Sequence, residues 1–492
     1  MTEYTAPGVY VEEIERGPRP IEAAPTAIAA ILGATERGPL RPCLVASFSD
    51  YLHSHGGFFG TGQHVPFAAR GFFENGGRRL YVCRVASSNA TTARADLGDY
   101  LLEAVGPGGW GNRIWVKLAG FRLRIACFSE GVVPYDCFDP ANERNPAKPE
   151  LVEEHVDIDM NLRLENVLPA SVLAVLTRKD GAAGNLPAGF NGALAGGDDG
   201  DPPSTADFRG FPAAGRPAQG IAALESDEFR DVALVAAPGA DAASLRALVE
   251  HCEATRFRFA VLDAARGATV GNGLSPRDEI ADSRHAAFYW PWVEVEDPRT
   301  RARTCVPPSG HTMGVYARTD AERGVSRPPA NEVLNGALGL EHVVDADTAD
   351  LVAPRGVNTI RAFPGRGIRV WGARTLSSHT EWKYVSVRRL FMFLEHSIFE
   401  GLRWTVFEPN DEALWTRVRN VIEQFMLTQW RAGMFPGAKP EEAYFVRCDR
   451  STMTQDDIHN GRLVCQVGFA ALKPAEFTVI HIQQLIAGPS RV

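Results

Sequence analysis

Between residues 26 and 95 the apolar positions come in short unbroken runs set apart by stretches with helical spacing. Ala27 to Leu32 predicts a buried strand, Phe67 to Glu74 a helix stopped at Asn75-Gly76-Gly77, and Arg79 to Val85 a second strand. The same alternation resumes later. Asp231 to Ala237 reads as a strand, Asp241 as the N-cap of a helix with Leu245, Leu248 and Val249 on one face, and Phe257 to Leu262 as the next strand. Strands alternating with helices imply a sheet covered on both faces, so 26–95 and 206–350 are assigned to one α/β middle domain.

Residues 96–205 have another texture. Arg113 to Leu118, Phe121 to Cys127 and Val156 to Leu164 are strand candidates among many glycines and prolines, with no strong amphipathic helix. This block reads as a β-rich insertion that closes through the glycine-rich stretch 192–203. Residues 355–492 form a third block. Its helix from Asp411 to Trp430 has Asn410 as N-cap and an apolar stripe of Leu414, Val418, Val421, Ile422, Phe425 and Met426. A second helix is expected over Val387 to Glu400, and strands over Glu442 to Arg447 and Leu463 to Phe469.

The two ends carry strand patterns without neighbours. Pro7, Pro18, Pro20 and Pro25 keep 1–25 extended around a short β-prone run that contains Val9, Tyr10 and Val11. At the other end, Phe477 and Val479 fall on one face of a strand, and Ile480 and Ile482 on the other. An orphan strand exposes unpaired backbone donors and acceptors, so each end is expected to pair with a distant sheet or with another chain.

Composition narrows the class. The 492 residues are 45% apolar and 23% charged, the balance of a soluble multidomain chain. A formal net charge of -9 argues against nucleic-acid binding. Glu3, Glu12, Glu13 and Glu15 replace the basic start of a secretory signal, and no apolar run approaches the roughly 18 residues of a membrane span, so no direct membrane insertion is expected. Eight cysteines without a CxxC pair suit reduced thiols and synthesis in the cytoplasm. The charge is also uneven. From Arg355 onward there are 18 Lys and Arg against 13 Asp and Glu, a net of +5, while the preceding residues carry a net of -14. That asymmetry suggests a C-terminal domain facing an acidic partner.

Few residues suggest chemistry. Gly106 to Gly111 fits GxGxxG but runs into a strand, where a dinucleotide site needs a helix N-terminus. Asp198, Asp199 and Asp201 lack the spaced acceptors of a calcium loop and fit an acidic linker better. His53, His55 and His64 lack the carboxylate or cysteine that would complete a metal set. There is no GxSxG, GxxxxGK[ST] or HExxH motif. No catalytic, cofactor or metal residue is assigned, although an enzyme site near the histidines stays open as an alternative.

Several segments carry a resemblance. Tyr4-Thr-Ala-Pro-Gly-Val-Tyr-Val-Glu-Glu-Ile14, Leu194-Ala-Gly-Gly-Asp-Asp-Gly200, Pro307 to Tyr316, Arg355 to Thr375, Tyr384 to Leu390, Phe407-Glu-Pro-Asn410 and Phe445 to Asp449 are together similar to the contractile tail sheath proteins of phages and phage-tail-like injection systems. The resemblance implies an α/β (α+β) multidomain tail-sheath fold and a structural subunit without a cofactor. It further implies self-assembly as stacked hexameric rings around an inner tube protein, with baseplate and cap proteins as partners. A non-contracting cap or baseplate-adjacent paralogue is the alternative within that class. In such assemblies the end strands of one subunit add to the sheet of another, and contraction releases stored free energy without nucleotide hydrolysis. For the tube contact, Arg417, Arg419 and Arg431 on the long helix are the candidates, with Arg388 and Arg389 on the preceding helix as a second set.

Overall fold

The computed structural model describes residues 20–60, 62–120, 122–156, 168, 171–181, 187–210, 218–474 and 476. The chain divides into two compact units at Ala24/Pro25, Met392/Phe393 and Leu472/Lys473. Among the described residues, the larger is built on a nine-stranded sheet. Its strands in chain order are β1 (Ala29–Gly33), β2 (Cys43–Val45), β3 (Leu80–Arg84), β4 (Leu234–Ala236), β5 (Phe259–Asp263), β6 (Ala286–Trp290), β7 (Glu332–Val333), β8 (Val357–Phe363) and β9 (Gly367–Trp371). They lie side by side in the order β7-β9-β8-β6-β5-β4-β1-β3-β2. The six from β8 to β3 run parallel, and β2, β9 and β7 join antiparallel.

A parallel sheet must be covered on both faces, which is why β1 is apolar throughout and all five of its residues are buried. Ala30 and Leu32 belong to one core with Leu245, Leu248 and Val249 of helix α2 (Ala242–Thr255). Ala29 and Ile31 belong to the other, with Phe72 of α1 (Val65–Glu74) and Met313 and Tyr316 of α3 (Ser309–Arg323). Helices α1 and α3 meet backbone to backbone. A Cβ on Gly310 would lie 2.4 Å from the Cα of Ala68, and one on Gly314 would lie 2.5 Å from the carbonyl oxygen of Phe72.

Pro308 offers α3 no side-chain cap. Asp263, the last residue of β5, supplies it from a distance, accepting from the Ser309 N–H at 2.7 Å and from its hydroxyl at 2.6 Å. Burial pushes the Asp263 carboxyl up to about 7 against those hydrogen bonds.

Strands β8 and β9 lie beyond residue 355, where the sequence pattern drew a domain boundary, yet both belong to the main sheet. Their place is set by parallel pairing of Phe288 with Val357 and Tyr289 with Asn358, contacts made across some seventy residues of chain. The block 96–205 is β-rich, with antiparallel sheets formed by 94–97, 100–104 and 174–178 and by 189–193, 114–119, 122–127 and 151–155. Of the expected strand from Val156 to Leu164, residues from 157 onward lie outside the described residues, and the observed strand there is Leu151–His155.

The smaller unit contains the C-terminal part of α4 (Val385–Gly401), the long α5 (Glu412–Arg431) and a hairpin of β10 (Tyr444–Arg447) and β11 (Gln466–Phe469). Asp411 caps α5, accepting from the Leu414 N–H at 2.8 Å. Asn410, the expected cap, instead accepts from the Trp415 indole at 2.7 Å. The Asn410 side chain is engaged by the indole of the buried Trp415, and the cap falls one residue later, on Asp411.

Candidate functional site

In the smaller unit, all six residues of the expected α5 stripe are buried, together with Trp415. The β10–β11 hairpin packs near this helix. The Tyr444 hydroxyl donates to the Glu423 carbonyl at 3.5 Å, and Phe435 lies 5.4 Å from Phe469, ring centre to ring centre. The register pairs Tyr444 with Phe469 and Arg447 with Gln466, and among the described residues no third strand joins this sheet. Two strands alone are marginal in water, so this sheet gains from pairing with further strands.

The strand-forming ends, Val9, Tyr10 and Val11 and Phe477, Val479, Ile480 and Ile482, lie outside the described residues. The segments just inside them are firmly held. Ile21 is buried on the end of α4, where a Cβ on Gly401 would come within 2.6 Å of it, and the Ala24 N–H donates to the Ser397 hydroxyl at 2.9 Å. In the larger unit Glu476 accepts from Arg374 Nε at 2.7 Å and Nη2 at 2.8 Å, from Lys383 Nζ at 2.8 Å and from the Tyr384 hydroxyl at 3.2 Å. Sequence reading missed this clasp because its members lie about a hundred residues apart and no local pattern links them.

Burial alone would raise the Glu476 carboxyl, but hydrogen bonds and charge from Arg374 and Lys383 outweigh it and hold the group down at about 2. A depressed carboxylate stabilises above its ordinary range near 4.5 and loses that contribution as the pH falls toward 2. The protection of the Glu476 amide, its hydrogen exchange relative to the intrinsic rate at each pH, should therefore fall between those limits. In Glu476→Gln that protection should already be low at pH 7 and change little with acid. An acid-independent wild type would show that the clasp does not anchor this segment.

The candidate arginines separate into two groups. Arg417 and Arg431 are exposed and Arg419 is half-buried. Arg417 pairs with Glu408 at 2.9 Å and covers the Trp404 ring at 5.4 Å. Arg388 and Arg389 are buried, at 2% and 4% exposure, which corrects their assignment as tube contacts. Arg388 donates to His285 Nε2 at 2.8 Å, and Arg389 forms a two-pronged pair with Asp320 at 2.9 and 2.5 Å. Adjacent arginines at the start of a helix look exposed in sequence; here the neighbouring elements supply partners that bury both.

The histidines do not converge. His53 is exposed, and His55 is buried, stacked on Tyr51, with Nδ1 2.7 Å from the Ser54 hydroxyl. His64 precedes α1 and meets the Trp292 ring edge-on. Burial, aided by nearby arginine charge, lowers His55 to about 3 and His64 to about 4, so both are neutral at pH 7. The aspartates fasten loops: Asp199 accepts from the Gly109 N–H at 3.0 Å and Asp201 from the Asn89 amide at 2.8 Å. The Gly106 to Gly111 stretch is a turn and a 3-10 segment leading into the strand Ile114–Ala119. Among the described residues no three His, Cys, Asp or Glu side chains come together as a metal set.

The model of the phage tail sheath protein central domain matches residues 215–376 and that of the phage tail sheath C-terminal domain residues 377–484, together more than half of the chain. A putative prophage major tail sheath protein of Pseudomonas aeruginosa is 27% identical over 224 residues, 43% of this chain and 56% of that protein. The chain thus spans about half the length of the curated relatives it matches. Among solved structures, the contracted helical sheath of the anti-feeding prophage superposes with a TM-score of 0.63 at 24% identity, covering 98% of this chain and 99% of that one. A chain from the six-fold symmetrised baseplate of the same particle gives 0.60 at 25% identity, covering 98% and 100%.

Proposed function

The chain belongs to the phage tail sheath family, and from that premise we propose that it is the structural subunit of a contractile sheath. Subunits polymerise as stacked hexameric rings around an inner tube and contract to drive that tube through a target envelope. The observation that carries this reading is the β10–β11 sheet, two-stranded among the described residues, in a chain with a strand-forming segment at each end. Each added ladder hydrogen bond contributes about 1 kcal/mol net, and several per arm, repeated through a polymer, give a mesh that stays connected while rings rotate.

The partners that follow are other copies of the chain, an inner tube protein, and baseplate and cap proteins. Synthesis is in the cytoplasm, followed by assembly into a tail or injection particle. The exposed face of α5, with Arg417, Arg431 and the half-buried Arg419, is the proposed tube contact. Charge contacts at a wet surface are reversible, which suits a grip released on contraction. A second reading, a ring next to the baseplate, is favoured by the likeness to the baseplate chain of the anti-feeding prophage.

Negative-stain microscopy of the purified chain, alone and with the tube protein, tests the reading. Long helical tubes are expected for a sheath and single rings for the baseplate-adjacent alternative; monodisperse monomers under all conditions would overturn both. Arg417→Glu with Arg419→Glu should reduce extended sheaths on tubes several-fold at low salt and weaken or reverse the salt dependence, because salt then screens a repulsion in place of an attraction. Unchanged assembly at low and high salt would exclude α5 as the grip.

A further inference from the structure

Cys448 follows the last residue of β10, and Cys465 precedes the first residue of β11. Because Arg447 pairs with Gln466 in an antiparallel ladder, the next rung sets Cys448 opposite Cys465. The type of rung is also fixed. The Ala470 N–H donates to the Ala443 carbonyl at 2.8 Å, which makes 443 and 470 a hydrogen-bonded pair. Alternation along the ladder then makes 448 and 465 a non-hydrogen-bonded pair, the type in which facing Cα atoms stand about 4.5 Å apart and side chains are closest. That spacing lies within the span of a disulfide, whose Cα atoms are usually about 4.4–6.8 Å apart. Each thiol shifts the proton affinity of the other, as side-by-side sulfurs do.

We propose that Cys448 and Cys465 are a disulfide site that closes the mouth of the β10–β11 hairpin when the protein meets an oxidising surrounding. Both are free thiols, Cys448 buried and Cys465 half-buried, so one sulfur is reachable and the other is shielded behind it. The other six cysteines all belong to the larger unit, which leaves this pair as the two cysteines of the smaller one. The next turn of chain is held in place independently. The Thr452 hydroxyl donates to the Val464 carbonyl at 2.8 Å, so the strands are tied just beyond the sulfurs whether or not they are bonded.

The oxidant is a small-molecule disulfide. Cys465 loses its proton to solvent, and its thiolate attacks one sulfur of that disulfide, breaking the S–S bond and releasing one small thiolate. Cys448 then gives up its proton, and its thiolate attacks Cys465 Sγ, expelling the second small thiolate. The two released thiolates take up the two protons. Two cysteine thiols are thereby oxidised to one disulfide as one small disulfide is reduced to two thiols. The bond joins the two strands whose outer edges form the proposed acceptor; its importance for assembly rests on that reading, but its formation does not.

The test uses full-length protein incubated with oxidised glutathione, alkylated, digested and mapped by mass spectrometry without reduction. The expected result is one linked species containing both cysteines, about 2 Da lighter than its two thiol peptides combined and abolished by reductant. Alkylation of the two sites should fall together, and proteolysis within 449–464 should slow by at least about tenfold. Cys465→Ser should remove the linked species and leave folding intact. The proposal is overturned if wild-type Cys448 and Cys465 stay separately alkylatable, if each ends as its own glutathione adduct, or if either pairs with another cysteine. This map needs no polymer, so its failure is separate from failure of the sheath reading.

Discussion

Deleting residues 1–19 should leave a soluble, folded chain that no longer builds long polymers. The described core of the smaller unit begins at Ile21, which is buried against the end of α4, and at Ala24, whose N–H is bound by Ser397. A cut after residue 19 keeps both anchors and removes Val9, Tyr10 and Val11, the residues expected to add to a neighbour's sheet. The melting midpoint should hardly change while polymer yield drops to background by microscopy and sedimentation. A cut after residue 24 also removes Ile21 and should cost a further 2–4 kcal/mol or so, in the range of deleting a buried aliphatic side chain. The contrast separates an assembly arm from a core segment. Normal sheaths from the shorter deletion would rule out the arm.

The second large effect is on stability. Arg389→Ala should destabilise the larger unit by about 3–5 kcal/mol, because it leaves a carboxylate buried without its counter-ion. Arg389 and Asp320 have side-chain exposures of 4% and 5%. The Thr26 hydroxyl donates to Asp320 at 2.7 Å, Arg389 donates to the Thr26 carbonyl at 3.0 Å, and the guanidinium covers the Tyr316 ring at 4.8 Å. The network ties the chain just before β1 to α3 and α4. Arg389→Met with Asp320→Leu should recover much of the loss, since replacing both charges removes the uncompensated one. Urea unfolding followed by tryptophan fluorescence reads both variants. A single-variant loss below about 1 kcal/mol would show that Asp320 is solvated instead.

The N-terminal arm and the buried arginines differ in how far the chain's local pattern reveals them. The arm was visible as a local pattern, a β-prone run between prolines with nothing beside it to pair with. Arg388 and Arg389 were legible only as charges. Arginine is usually exposed, so residue type alone sends both to the surface. Their burial depends on His285, Asp320, Thr26 and Tyr316, which come from elements 69 to 363 residues away. The Glu476 clasp and the facing of Cys448 and Cys465 escaped for the same reason.

By itself the sequence determined element type and class. Apolar runs such as Ala27 to Leu32 gave buried strands, and the 3.6-residue stripe from Leu414 to Met426 gave α5, because period and burial are local properties of the chain. It also made the α/β character and the orphan ends readable, and through its motifs the sheath resemblance. Tertiary structure alone decided the partners: which strands neighbour β8, that Asp263 rather than a local residue caps α3, and which arginines are buried. These follow from contacts between residues far apart in the chain. Each such contact repays the entropy of closing a long loop only when the whole core forms with it, so no window of sequence contains the information that selects it.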